Sequence, residues 1–226
     1  MLNLDLSNAN MNEIITLEEA EIILEGVKNL FPGIIDDVYV VENPAGYAYN
    51  RSEEGGKWID IYPKCTDLTS RVGLKMIKNI NRVGLKIIKH INNEFKSNFA
   101  QNLKTITINA FCHEIGHAID FEIHKMLNDE TYEDDAEEQY NYFFIESSYY
   151  YDELDDFENY AYENDIDVEH VQLDAWRKHL EEIEEELDRK YRMIITEYAA
   201  DKFSAEFMNA YMKHIPQLFE SKAIEN

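Results

Sequence analysis

The run His113-Glu114-Ile115-Gly116-His117 combines residue types and a spacing that can do chemistry. On a helix, residues i and i+4 project from one face a turn apart, so both imidazoles can reach a single tetrahedral zinc ion. Glu114, one residue after the first ligand, can approach a metal-bound water rather than the metal, and there act as general base. The flanks Thr105–Cys112 and Ala118-Ile119 are apolar enough for a buried helix. A charged set inside such a helix is costly unless something pairs it, and a metal does.

A third ligand is required. A His or Asp six residues after His117 is absent, because position 123 is Ile and His124 lies at the wrong offset. A second arrangement takes a Glu from a downstream helix, followed four residues later by an acid that orients a ligand imidazole. Thr196-Glu197-Tyr198-Ala199-Ala200-Asp201 has that form. Glu197 and Asp201 share one helix face, so Glu197 can bind the metal while Asp201 accepts a hydrogen bond from His113. Ala199 and Ala200 are small enough to let the two helices pack closely. The plainer alternative is a chance pair of histidines and an ordinary acidic helix; two patterns in the right order weigh against it.

The elements that position these residues follow from punctuation. Seven of the eight Gly and three of the four Pro precede residue 85, and 117–215 contains neither. Hairpins and tight turns need such residues, so the C-terminal half is expected to be mostly helical. In the N-terminal half, Thr16-Leu17-Glu18-Glu19 has capping-box spacing and opens a helix that ends near Phe31-Pro32-Gly33. Three runs follow, at Val38–Val41, Tyr47–Tyr49 and Trp58–Tyr62, separated by turn residues, and they predict a small antiparallel sheet. From Asp174 onward, apolar residues at three- to five-residue steps predict one long amphipathic helix or two joined at a kink. The fold class is therefore α+β, a single domain over 1–226.

Two segments stand apart in composition. Residues 71–81 (RVGLKMIKNIN) recur almost unchanged at 82–92 (RVGLKIIKHIN), and the 11-residue period returns equivalent residues to one face of a basic amphipathic helix. Between Met126 and Trp176 lie 18 Asp or Glu, many Tyr and no Lys or Arg. Such a stretch is too aromatic for plain disorder and reads as a helical insertion at about 128–175, packed through Tyr and Phe with carboxylates outside. The chain as a whole holds 46 acidic against 21 basic residues, a net charge of −25, which argues against a nucleic-acid phosphate binder. Two cysteines exclude a disulfide scaffold, and Cys112 reads as a buried structural thiol. No run is long enough to span a membrane. No export signal is recognisable, which predicts a cytoplasmic protein or one delivered without a classical signal peptide. The other histidines, His90 among them, show no ligand spacing.

The pairing of H-E-I-G-H-A-I-D with T-E-Y-A-A-D-K-F resembles the gluzincin metallopeptidases, above all the anthrax lethal factor catalytic domain and the related Pro-Pro endopeptidases. The ImmA/IrrE regulatory peptidases, often found with phages and mobile elements, are similar as well. The motifs cover about residues 105–125 and 190–212. The resemblance implies a zincin-like fold: a small sheet whose edge strand binds extended peptide, an active-site helix and a third-ligand helix. It implies one Zn2+ per chain held by His113, His117 and Glu197, with Asp201 behind His113. It also implies a Tyr seven residues before the third ligand, which steadies the oxyanion; here that position is Lys190, so Tyr191 is the candidate, with Tyr198 or a Tyr of the insertion as alternatives.

The expectation is a zinc endopeptidase acting on a protein or peptide substrate. The rival is an interaction or structural protein of the same fold, whose acidic insertion is the surface that engages a protein partner. As a third possibility, the insertion folds over the cleft of a peptidase as a lid.

Overall fold

The structure is a computed structural model and describes residues 14–62 and 85–211. The first 11-residue copy, the start of the second, Cys65 and His214 lie outside that range. The chain divides into two compact units: Met1–Met126 with Ala199–Asn226, and Leu127–Tyr198. The second division falls inside a helix, most of which belongs to the first unit.

The first unit is α+β. Helix α1 (Leu17–Leu30) starts where the sequence predicts. The Thr16 hydroxyl accepts from the Glu19 amide, and the Glu19 carboxylate accepts from the Thr16 amide. Three strands follow: β1 (Val38–Glu42), β2 (Ala48–Arg51) and β3 (Lys57–Ile61). Their order is β1-β3-β2. The expected all-antiparallel sheet is corrected here, because β2 pairs antiparallel with β3 whereas β1 pairs parallel with it. The linker after β1 makes no hairpin. Instead the Asn43 amide donates to the Ile61 carbonyl, which ties the end of β1 to the end of β3 and leaves β2 to close back across β3 through Ser52–Gly56. Buried Asp60 secures the arrangement, its Oδ2 accepting from Asn43 Nδ2 at 2.8 Å and Asn50 Nδ2 at 2.9 Å. β2 is thereby fixed as one of the sheet's two edge strands, opposite β1.

Residues 85–94 form helix α2, with Ile88 and Ile91 fully buried. Helix α3 (Leu103–Met126) carries the His-Glu run. The side chain of Asn102 accepts from the Thr105 amide and caps its start. Burial on several sides from Leu103 through Ile119 marks it as a core helix. Ile108, Phe111, Cys112, Ile115 and Ala118 pack with Ile59, Ile61 and Val27 in one cluster.

The second unit is a helical hairpin. Helix α4 (Glu130–Glu163) runs 34 residues, and a 3-10 turn (Val171–Leu173) leads into α5 (Asp174–Arg192). After Met193-Ile194 the chain enters α6 (Ile195–Tyr211), so the C-terminal periodicity is two helices. This region turns without glycine because Asp165 adopts φ 54°. With Asp165 left-handed, the Ile166 amide reaches the Ala161 carbonyl and the Asp165 amide reaches Tyr162, the two bonds of a Schellman closure. Asn128 does similar service after α3, with φ 51°. Phe157, Ala161, Leu173 and Leu180 form the hairpin's core. The expectation that the tyrosines pack inward is corrected for part of the set: Tyr142, Tyr149 and Tyr162 are 64%, 71% and 87% exposed.

Within the first unit, α3 and α6 touch backbone to backbone. A Cβ on Gly116 would lie 2.7 Å from Ala200 Cα and 3.0 Å from its carbonyl oxygen, and Ala200 is fully buried. Asn109 Nδ2 donates to Ser204 Oγ further along the same seam. Gly116→Ala forces these backbones apart and is expected to cost about 1–3 kcal/mol, read as a fall in Tm of several degrees by calorimetry.

Candidate metal centre

The two imidazoles of α3 converge. His113 Nε2 and His117 Nε2 are 3.1 Å apart, and the ring planes are perpendicular. Two nitrogens bound at about 2.0–2.1 Å to one tetrahedral zinc ion stand about 3.3–3.4 Å apart, so the spacing is near what a shared ion demands. Glu197, in the first turn of α6, adds a carboxylate. Ligand atoms of His113, His117 and Glu197 all lie within 4.8 Å of one another. His113 is 8% exposed and Glu197 3% exposed. This buried group can hold a metal ion.

Asp201 takes the place the sequence predicts. It is completely buried, and His113 Nδ1 donates to its Oδ1 at 2.8 Å. That bond fixes the tautomer: with the proton on Nδ1, the Nε2 lone pair faces His117 and the ligand position. The seam at Gly116 and Ala200 makes the distance achievable, because Asp201 and Glu197 sit one turn apart on α6.

Glu114 is absent from the ligand group. Its Oε2 accepts a hydrogen bond from the backbone amide of Tyr49 at 2.8 Å. Tyr49 lies on β2, so this edge strand presents an outward N–H to the carboxylate that follows His113 in sequence. Residues alternate along a strand, and Arg51 therefore turns its backbone groups toward the same edge. The Arg51 guanidinium lies over the Phe121 ring of α3, 3.4 Å from its centroid.

Tyr191 is close to Glu197, and its hydroxyl donates to Oε1 at 2.9 Å. Tyr140, on α4, donates to the same oxygen at 2.6 Å. Arg192 Nη1 stands 3.8 Å from Oε2. Burial first, then the nearby Glu197 charge, pushes the Tyr191 phenol well above its ordinary value, so it stays protonated and remains a donor. Placing Glu197 at a helix N-terminus adds a favourable dipole.

Three contributors escape sequence reasoning. Tyr140 lies 57 residues from Glu197 in a Tyr-rich stretch where nothing distinguishes it. The Tyr49 amide is a backbone group. His90 Nε2 is 3.8 Å from Asp201 Oδ2, a contact with no motif spacing to reveal it. The other described histidines fit their plain reading: His124 and His179 stand 3.7 Å and 3.6 Å from nearby carboxylates, and His170 caps the 3-10 turn.

No family model, curated protein or solved structure matches this chain. Among the described residues no helix is long and apolar enough to cross a membrane. The structure defines an α+β chain with a buried two-His, one-Glu group suited to a metal ion.

Cys112 adjoins His113 in sequence yet is fully buried, and burial pushes its thiol well above the ordinary value. In a Cys65→Ser background, a thiol reagent is expected to label Cys112 only after denaturation; rapid labelling of the native protein would contradict this burial.

Proposed function

We propose that this protein is a zinc-dependent endopeptidase of gluzincin type. The observation that carries the reading is the joint placement of two converging imidazoles, a buried carboxylate, and a Glu that neighbours the first ligand but stays out of the ligand group. His113, His117 and Glu197 would hold the ion, a donor set that suits zinc. When bound, zinc supplies Lewis-acid polarisation of the carbonyl and a water acidified toward neutral pH. Asp201 holds the proton on His113 Nδ1. Tyr140 and Tyr191 both commit their hydroxyls to Glu197 Oε1, so we assign them to holding that carboxylate rather than to an oxyanion. Glu114 takes a proton from the attacking water and delivers it to the departing amine. An extended peptide adds to the outward edge of β2 and hydrogen-bonds its backbone; the Tyr49 amide then has two acceptors in competition, the substrate carbonyl and Glu114.

A second reading rests on the exposed aromatics of α4. Tyr142, Ile145 and Tyr149 stand in water among carboxylates on a helix without Lys or Arg. That combination favours a surface for a basic protein partner, in a chain whose metal is structural. Metal content and turnover separate the two readings.

His113→Ala is expected to abolish the roughly one zinc per chain that elemental analysis should find in the wild type. Glu114→Gln should keep the metal and lower kcat at least about 100-fold on a peptide library. Full activity in Glu114→Gln removes the general base, and zinc without any turnover favours the interaction protein. Asp201→Asn should weaken zinc affinity by about 10–100-fold in a chelator competition.

A further inference from the structure

The 11-residue copies 71–81 and 82–92 differ at two positions. One difference exchanges apolar for apolar, Met76 for Ile87. The other changes chemical class: Asn79 in the first copy is His90 in the second. His90 is also the residue of its copy that stands against Asp201, the most deeply buried carboxylate among the described residues of the first unit.

Asp201 is 0% exposed, and its two oxygens face two different imidazoles. His113 Nδ1 occupies Oδ1 at 2.8 Å, and His90 Nε2 lies 3.8 Å from Oδ2. The Nε2 atom is itself buried and makes no hydrogen bond among the described residues. The His90 ring sets its edge against Phe95, with centroids 6.5 Å apart and planes at 84°. At 3.8 Å the contact with Asp201 is too long for a direct hydrogen bond. It is electrostatic, the polar edge of one ring opposing a carboxylate oxygen in a water-poor interior, where such interactions are strong. The terminal torsion of an Asp side chain is soft, so the groups that face its two oxygens decide its plane. A second polar group on the other oxygen sets its plane.

We propose that His90 is a positioning residue: it orients the Asp201 carboxylate and, through it, the ring and tautomer of His113. This rests on the metal-site reading for its purpose, although the His90–Asp201–His113 arrangement exists without an ion. α2 thereby has a task in the centre, and the class-changing difference between the two copies has an explanation.

The test uses the full chain as wild type, His90→Leu, His90→Gln, Asp201→Asn and the His90→Leu/Asp201→Asn pair. In zinc-free protein, proton NMR in water reads the hydrogen-bonded His113 imidazole N–H, assigned by its loss in Asp201→Asn. It should persist in His90→Gln, whose amide presents an N–H at the same reach, and shift or exchange away in His90→Leu. Zinc affinity by chelator competition should fall about tenfold in His90→Leu, stay near wild type in His90→Gln, and be no weaker in the pair than in Asp201→Asn alone. Should His90→Leu fail to fold, His90→Ala, which also removes the polar edge, takes its place. An unmoved His113 resonance together with unchanged zinc affinity in folded His90→Leu overturns the proposal. So do equal losses in the Leu and Gln variants with equal falls in Tm, the mark of a packing role. A wild type that binds no zinc sinks the metal reading, and the zinc-free resonance still decides the role of His90.

Discussion

The contact at Gly116 and Ala200 is the constraint on which the candidate site depends. With only the Ala200 methyl at the crossing, α3 and α6 approach until backbone meets backbone, and only then can a carboxylate as short as Asp reach Nδ1 of His113. The buried Asp201 in turn needs compensation, which His113 supplies directly and His90 supplies across a longer gap. A burial this complete is expensive for an acid without partners. Small residues, a buried acid and oriented imidazoles form one dependency: close packing permits the hydrogen bond, and the hydrogen bond sets the direction of the His113 Nε2 lone pair, which faces His117.

The sheet supplies the opposite wall by a similar economy of parts. β2 is short, and Asp60 anchors it through two side-chain amides from different segments. Its outward N–H at Tyr49 meets Glu114. An outer strand with open backbone groups invites adventitious pairing with other chains. A carboxylate placed over one such group, Glu114 over the Tyr49 amide, occupies it.

Much of this was legible in the sequence where the signal is local. Thr16 and Glu19 announce a capping box, and the structure contains it. The i, i+4 histidines and the Glu197/Asp201 pair declare shared faces, and the fold brings His113, His117 and Glu197 together. The class, α+β with a helical C-terminal half, follows from where Gly and Pro fall. Strand pairing was less legible: β1, β2 and β3 look alike as apolar runs, and the choice of β3 as partner for β1 depends on a backbone bond from Asn43 to Ile61. The exposed tyrosines of α4 were misjudged because composition cannot tell which face of a 34-residue helix has a neighbour. Tyr140 and His90 were hidden for a related reason: each acts across a long stretch of chain, on a residue with which it shares no periodicity.

The α4–α5 hairpin also bears on how the molecule is made. Glu197 follows His117 by 80 residues, and the segment between is helical, with its packing largely among near neighbours in sequence. No X–Pro bond falls between residues 64 and 215, so this stretch has no slow prolyl isomerisation to await. On a ribosome adding about 5–20 residues per second, the carboxylate appears roughly 4–16 s after the imidazoles. For that interval the nascent chain carries the histidine pair without Glu197, and α5, which ends five residues before it, is completed at almost the same moment.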